Sequence, residues 1–384
     1  MIPSTTPSDS RSASPVRHAY IDGLRGMAIF GVMIVHFAIW VTGDRPFRIN
    51  FLQTMCESGA RGVQLFFMIS AFTLFSSARV RFASDPFPKL NFYVRRAFRI
   101  LPLWWVAVAF WARVNRVSPW PDWLMYFGFI RFRDGVEAFG MGWSIFVEET
   151  FYVLLPLVFE RINGLRSALV FAAQMWIIAI LWEPLAKKLG VPDGHFFIFQ
   201  FPLTQWFAIA TGIALFFLQE EPLFRRIMLE DASAARLIDA FTAIILFCLI
   251  RQGHKAASIG LALLFVACMS PYTLWGKLAR NRLLGLFGTC CYSIYLFHYL
   301  ILTIFERHRD AAFAWIGLGH VAPEIRFFIT LPVFAAVCLA LGLTLWHGFE
   351  RPCISVGKRI NAALNDWAAR RALALKTAQP LPPA

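Results

Sequence analysis

Apolar runs long enough to cross a lipid bilayer recur along most of the chain, set apart by short polar or basic segments. A membrane-crossing helix needs roughly 20 such residues. The pattern predicts ten spans, near residues 24–42, 60–77, 100–117, 143–160, 167–183, 199–218, 235–250, 257–275, 284–305 and 327–349. An eleventh stretch, Asp122 to Ile130, is too short to cross and follows "SPWP", so it reads as re-entrant or interfacial. The leading segment is polar and rich in Ser and Pro, the composition of a disordered tail. The first apolar run begins late and carries a histidine, so it reads as a retained helix rather than a cleaved signal.

Composition agrees with the pattern. Hydrophobic residues make up 58% of the 384, mean hydropathy is +0.58 and 40 residues are Phe, more apolar surface than a soluble fold can hide. The net charge of +14 is then a property of loops. With the amino terminus cytoplasmic and ten spans, 23 of the 37 Lys and Arg residues fall inside, six of them in loop 78–99. Counting 122–130 as a span levels the split to 18 inside and 19 outside, so ten is preferred. The expectation is an all-α polytopic membrane protein with both termini cytoplasmic, seated in the inner (plasma) membrane. Residues 1–19 form a disordered tail, 20–352 the transmembrane domain and 353–384 a short basic tail. No basic soluble domain is present to bind nucleic acid. The seven cysteines are odd in number, sit mostly in apolar runs and lack metal-ligand spacing, so neither a disulfide framework nor a metal site is expected.

Several polar residues interrupt this apolar chain. In "GLRGMAIFGVMIVHF", Arg25 and His36 stand eleven residues apart, so they share one face of a helix about 16 Å apart along its axis. A histidine at mid-depth is expected to be neutral, with a lone pair able to accept a proton. The alternative is a structural histidine bonded to a neighbouring helix. In the fourth span Ser144, Glu148 and Tyr152 form an i, i+4, i+8 stripe that should face the bundle interior, by function or as an interhelical ion pair. Arg95, Arg96 and Arg99 precede Pro102; alone they read as a topology anchor, and beside Arg25 as a phosphate cradle. The ninth span carries Tyr292, Tyr295 and Tyr299 with His298 beside them, readable as interface anchors or as site residues. Glu350 and Arg351 read as a helix end with a local ion pair. Together these positions suit a nucleotide-linked donor such as an acyl-CoA. Its phosphates would dock on the arginines and its pantetheine arm would reach toward His36, which acts as general base on an acceptor hydroxyl.

The same residues resemble acyltransferase family 3 membrane proteins. "YIDGLRGMAIFGVMIVHF" is similar to the family's opening Arg-x10-His signature, here Arg25 and His36. "GVQLFFMISAF", "RRAFRILPLWW", "WSIFVEETFY", "YSIYLFH" and "FERP" follow in the family's order, spread up to residue 352. One departure is Ala71, where the family usually has Gly after Ser70, which bears on local packing only. The resemblance implies ten spans and acyl transfer, usually acetyl transfer from acetyl-CoA, to a hydroxyl of a cell-surface or exported carbohydrate. It implies His36 as catalytic base, with Arg25, Arg96 and Arg99 on the donor, and Glu148, in the acidic position, is the second catalytic candidate. Ser144, Tyr152 and His298 are then candidates for substrate binding. It also implies a member made of the membrane domain alone.

Two other functions compete: acylation of a cytoplasmic small molecule such as an antibiotic sugar, and proton-coupled transport with His36, Glu148 and His298 as a relay. Transporters of that type show broken helices and paired half-repeats, and the sequence shows neither beyond 122–130. No sugar-specific motif names the acceptor, and a homo-oligomer stays open. The topology is testable. Single cysteines placed in loops 78–99 and 276–283 should resist a membrane-impermeant thiol reagent, and ones in 43–61 and 306–326 should react. Reaction around 276–283 would mean that 122–130 crosses the membrane.

Overall fold

The structure, a computed structural model, describes residues 19–43, 46–114, 142–191, 196–306 and 308–377. The stretch 122–130 lies outside them. Among the described residues the fold is all helical, with no strand. The principal helices are α1 (Ala19–Thr42), α2 (Asn50–Ser58), α3 (Gly62–Ser84), α4 (Pro88–Val114), α5 (Gly142–Val158), α6 (Leu165–Lys188), α7 (Pro202–Leu218), α8 (Ala232–Leu249), α9 (His254–Met269), α10 (Arg282–Thr289), α11 (Cys291–Glu306), α12 (Pro323–Leu345) and α13 (Arg351–Thr377).

Among the described residues seven helices are individually long and apolar enough to cross a membrane, and up to nine if each of two bent pairs counts as one span. Three of the ten expected spans take a form other than one straight helix of crossing length. The span expected at 284–305 is two helices, α10 and α11, meeting at 83° around Cys290. After α7 the chain turns through 82° into Pro222–Glu230. The expected span 257–275 is the 16-residue α9, which ends at Met269. Past α9, in a one-and-a-half-turn helix, Leu274–Ala279, the backbone N–H groups of Leu274 and Trp275 donate to the Asp239 carboxylate on α8, at 2.8 and 3.3 Å. The tail after Cys353 is helical through Thr377 and packs along the start of α4. There Asn361 Nδ2 donates to the Asn91 carbonyl at 2.9 Å, Asn91 Nδ2 donates to Asn365 at 2.7 Å, and Trp367 stacks on Phe87. All seven cysteines are free thiols.

Helix α1 is the hub, packing against α3, α10, α11 and α12. Small residues permit this, because apolar helices in lipid associate through close van der Waals contact rather than hydrophobic gain. A methyl group added at Gly26 would lie 2.0 Å from the Leu284 carbonyl oxygen, and one at Gly288 would lie 1.7 Å from that of Asp22. The two backbones touch at Arg25's end of α1, which fixes that side chain against the α10–α11 break. Gly26→Leu should therefore cost at least about 1–3 kcal/mol through overpacking. A thermal-unfolding measurement on the purified protein should show the loss, while Gly285→Ala, with nothing within 4 Å of its added methyl, should be silent.

Candidate active site

Five helices deliver the polar residues to one place. Helix α1 supplies Arg25, α3 supplies Ser70 and Phe66, and α4 supplies Arg96 and Arg99 from its basic first half. Helix α5 supplies Ser144, Glu148 and Tyr152, its i, i+4, i+8 stripe, and α11 supplies Cys291, Tyr292 and Tyr295. Together they line a cavity of about 140 Å³. Three arginines, Ser144, Glu148 and Tyr152 were all legible in the sequence, and the fold brings all six together.

Inside the cavity the negative and hydroxyl groups are chained to one another. Tyr152 donates its phenol to Glu148 Oε1 and shares a 2.5 Å contact with Ser70 Oγ. Arg25 reaches Asp22 at 3.3 Å and Thr73 Oγ1 at 3.2 Å. The other two guanidiniums are less engaged. Arg96 lies over the Tyr152 ring at 5.7 Å, with its Nε buried and without a partner. Among the described residues Arg99 makes no hydrogen bond or ion pair; the strongest opposing charge acting on it is Glu350. That carboxylate is 2% exposed and accepts from Ser293 Oγ at 2.9 Å. The expected helix-end ion pair of Glu350 is thus replaced by a buried role behind the cavity. The third arginine of the sequence cluster, Arg95, turns away to an ion pair with Asp85 at 2.9 Å. Only Arg96 and Arg99 keep the cradle reading.

The break between α10 and α11 has a use here. It starts a 16-residue helix at the cavity wall, so the positive end of α11's dipole adds to the field of the arginines. An anion is the natural occupant of such a space. Among the described residues no group of three or more His, Cys, Asp or Glu is placed to hold a metal ion.

His36 does not line this cavity. It lies on α1 three turns from Arg25, and its Nδ1 is 2.9 Å from Nε2 of His298. The structure places His298, expected on the substrate side, in contact with the other histidine. His298 is 1% exposed, and its Nδ1 lies 3.0 Å from the carbonyl oxygens of both Ile294 and Tyr295. Carbonyls only accept, so His298 Nδ1 carries the hydrogen and its Nε2 holds a lone pair. His36 Nδ1 then donates to that lone pair, and His36 Nε2 is left as the free basic nitrogen. Tyr295 joins the two regions: its hydroxyl lines the cavity and meets Ser144 Oγ at 2.6 Å, while its carbonyl orients His298. Sequence reasoning assigned no site role to Cys291 or Ser70, left Tyr295 open between interface anchor and site residue, and read Glu350 as a helix end. The tyrosine stripe and the "FERP" run were the available signals.

A family model described as an acyltransferase domain matches residues 18–347. YrhL of Bacillus subtilis strain 168, named as a candidate peptidoglycan O-acetyltransferase, is 23% identical over 386 residues, covering 89% of this chain and 56% of that protein. The peptidoglycan O-acetyltransferase OatA of Listeria monocytogenes is 23% identical over 328 residues, 74% of this chain and 49% of its own. The chain spans about half the length of the curated relatives it matches. No solved structure gives a significant match.

The tautomers of the histidine pair can be tested chemically. Diethyl pyrocarbonate acylates an imidazole nitrogen that holds a free lone pair. Mass spectrometry should find His36 modified and His298, with both nitrogens engaged, unmodified. The reverse pattern would overturn the assignment.

Proposed function

The chain belongs to acyltransferase family 3, and from that premise we propose that it is an integral-membrane O-acyltransferase. In this reading it moves an acyl group, most simply acetyl, from acyl-CoA to a hydroxyl of a carbohydrate of the peptidoglycan kind. The observation that carries the reading is the convergence of Arg25, Arg96 and Arg99 on one cavity in which two of the three guanidiniums have no ion-pair partner among the described residues. That cavity calls for a polyanion, and α1 leads from it to a basic nitrogen about 16 Å away. The phosphates of coenzyme A match the first need, and its narrow pantetheine arm matches the second.

Arg25, Arg96 and Arg99 hold the donor's phosphates from the cytoplasmic side. The arm passes Tyr295, whose contact with Ser144 must part to admit it. His36 Nε2 removes the proton of the acceptor hydroxyl, whose oxygen attacks the thioester carbonyl, and the thiol leaves. His298 holds His36 in the tautomer that exposes Nε2. Glu148 acts through Tyr152 and the Arg96 face rather than on the reacting atoms, which revises its expected catalytic place to a positioning one.

One observation favours the transport alternative: two spans are broken by more than 80°, a habit of transporters. A relay through His36, Glu148 and His298 is not favoured by the geometry, since Glu148 is tied to Tyr152 in the arginine cavity while the histidines pair elsewhere. Acylation of a cytoplasmic small molecule would use the same donor site and differs only in the acceptor. The experiment is transfer from labelled acetyl-CoA by purified protein to a panel of glycans. Arg96→Ala and Arg99→Ala should chiefly raise the donor KM, with Lys a partial rescue because the fork geometry is lost. His36→Gln should lower kcat by roughly 10²–10⁴-fold with donor KM kept. Unchanged donor KM in the double arginine variant would return those residues to a topology role.

A further inference from the structure

His36 has a second side. Its Nδ1 faces His298, so Nε2 looks away from that ring, and the arginine cavity is lined by neither His36 nor Tyr299. Tyr299 follows His298 on α11 and meets His36 edge to face, with ring centroids 5.6 Å apart at 88°. Trp111 stands 6.3 Å from the same tyrosine ring. The Tyr299 side is open, the residue being 42% exposed. Its hydroxyl makes no hydrogen bond among the described residues. One turn beyond His36 on α1, the indole Nε1 of Trp40 is buried and also unpartnered.

Polar groups in a membrane bundle are costly when unpaired, and lipid tails offer them nothing. The phenol of Tyr299, unpartnered and set against the ring of a neutral base, therefore asks for a polar occupant. Aromatic walls with a few directed polar groups are the usual make-up of a small-molecule site. We infer that the notch where the open face of Tyr299 meets His36 is the acceptor site and that Tyr299 is its specificity residue. A sugar ring lies on the open face of Tyr299, and a hydroxyl next to the reacting one bonds to the phenol. The reacting hydroxyl gives its proton to His36 Nε2 as its oxygen bonds to the thioester carbonyl carbon. The carbon–sulfur bond breaks, and the departing thiolate takes the proton back from the imidazolium. Donor and acceptor thus approach the histidine pair from opposite sides. The chemistry rests on the acyl-transfer reading above; the location of the notch does not.

The test has two arms. In the first, Tyr299→Cys protein in lipid nanodiscs is treated with a charged, membrane-impermeant methanethiosulfonate or with a lipid-soluble maleimide, against the parent protein with its native cysteines. Labelling by the charged reagent above the parent level is expected. Labelling by the lipid-soluble reagent alone would place Tyr299 against lipid and overturn the proposal. In the second, transfer from labelled acetyl-CoA to N-acetylglucosamine oligomers is followed in Tyr299→Phe and Tyr299→Ala. Loss of one hydrogen bond should raise the acceptor KM roughly two- to tenfold in Phe, and more in Ala, with donor KM unchanged. An unchanged acceptor KM in Ala, or an equal rise for donor and acceptor, would overturn it. If wild-type protein acylates no glycan, the transferase reading fails while the labelling arm still decides the notch.

Discussion

Guanidinium groups gathered inside an apolar helical bundle must be matched by negative charge or by water, because burying a cation alone is prohibitive. The fold matches them only partly. Asp22 takes Arg25, Glu350 influences Arg99 from behind its bond to Ser293, and Glu148 is taken up by Tyr152. What remains is a positive space at one end of α1, reinforced by the start of α11. Much of the architecture serves this space. The glycine contacts between α1 and α10 hold Arg25 beside the break, and α13 braces the first half of α4, which carries Arg96 and Arg99.

In the proposed reaction the second constraint is that the base, His36, must stay neutral and out of bulk water. In the structure that is done by a second histidine rather than by a carboxylate. His298 is fixed by two carbonyls of its own helix and accepts from His36, so the pair has one free lone pair and no net charge. A carboxylate partner would have favoured the imidazolium instead. Tyr295 joins this pair to the arginine cavity, and in the proposed reaction it divides a charged end for the donor's head from a neutral end for chemistry.

Much of this was legible in the sequence because a membrane makes polar residues informative. The eleven-residue interval from Arg25 to His36 places both on one face of any helix, and the Ser144, Glu148, Tyr152 stripe follows from the same period. Both hold in the structure. The break at Cys290 was hidden, since "GTCC" sits within a run apolar enough to read as one span, and nothing local announces an 83° turn that tertiary packing decides. Pairing of His36 with His298 was equally hidden, for no period relates residues on helices so far apart in sequence. Arg95 and Arg96 are neighbours that read alike, yet they point to different partners because 100° of helix rotation separates them. The family resemblance supplied the order of motifs, and the structure separates their residues into a cavity and a histidine pair.

The account stands on a division of labour along α1, with charge at Arg25 and proton transfer at His36. The measurement that tests it most directly is an experimental structure of the protein with coenzyme A bound. The account predicts phosphates against Arg25, Arg96 and Arg99, with the arm passing Tyr295 and the sulfur ending beside His36 Nε2. Phosphates bound elsewhere, or an arm that stops in the arginine cavity with Tyr295 still closed on Ser144, would contradict it.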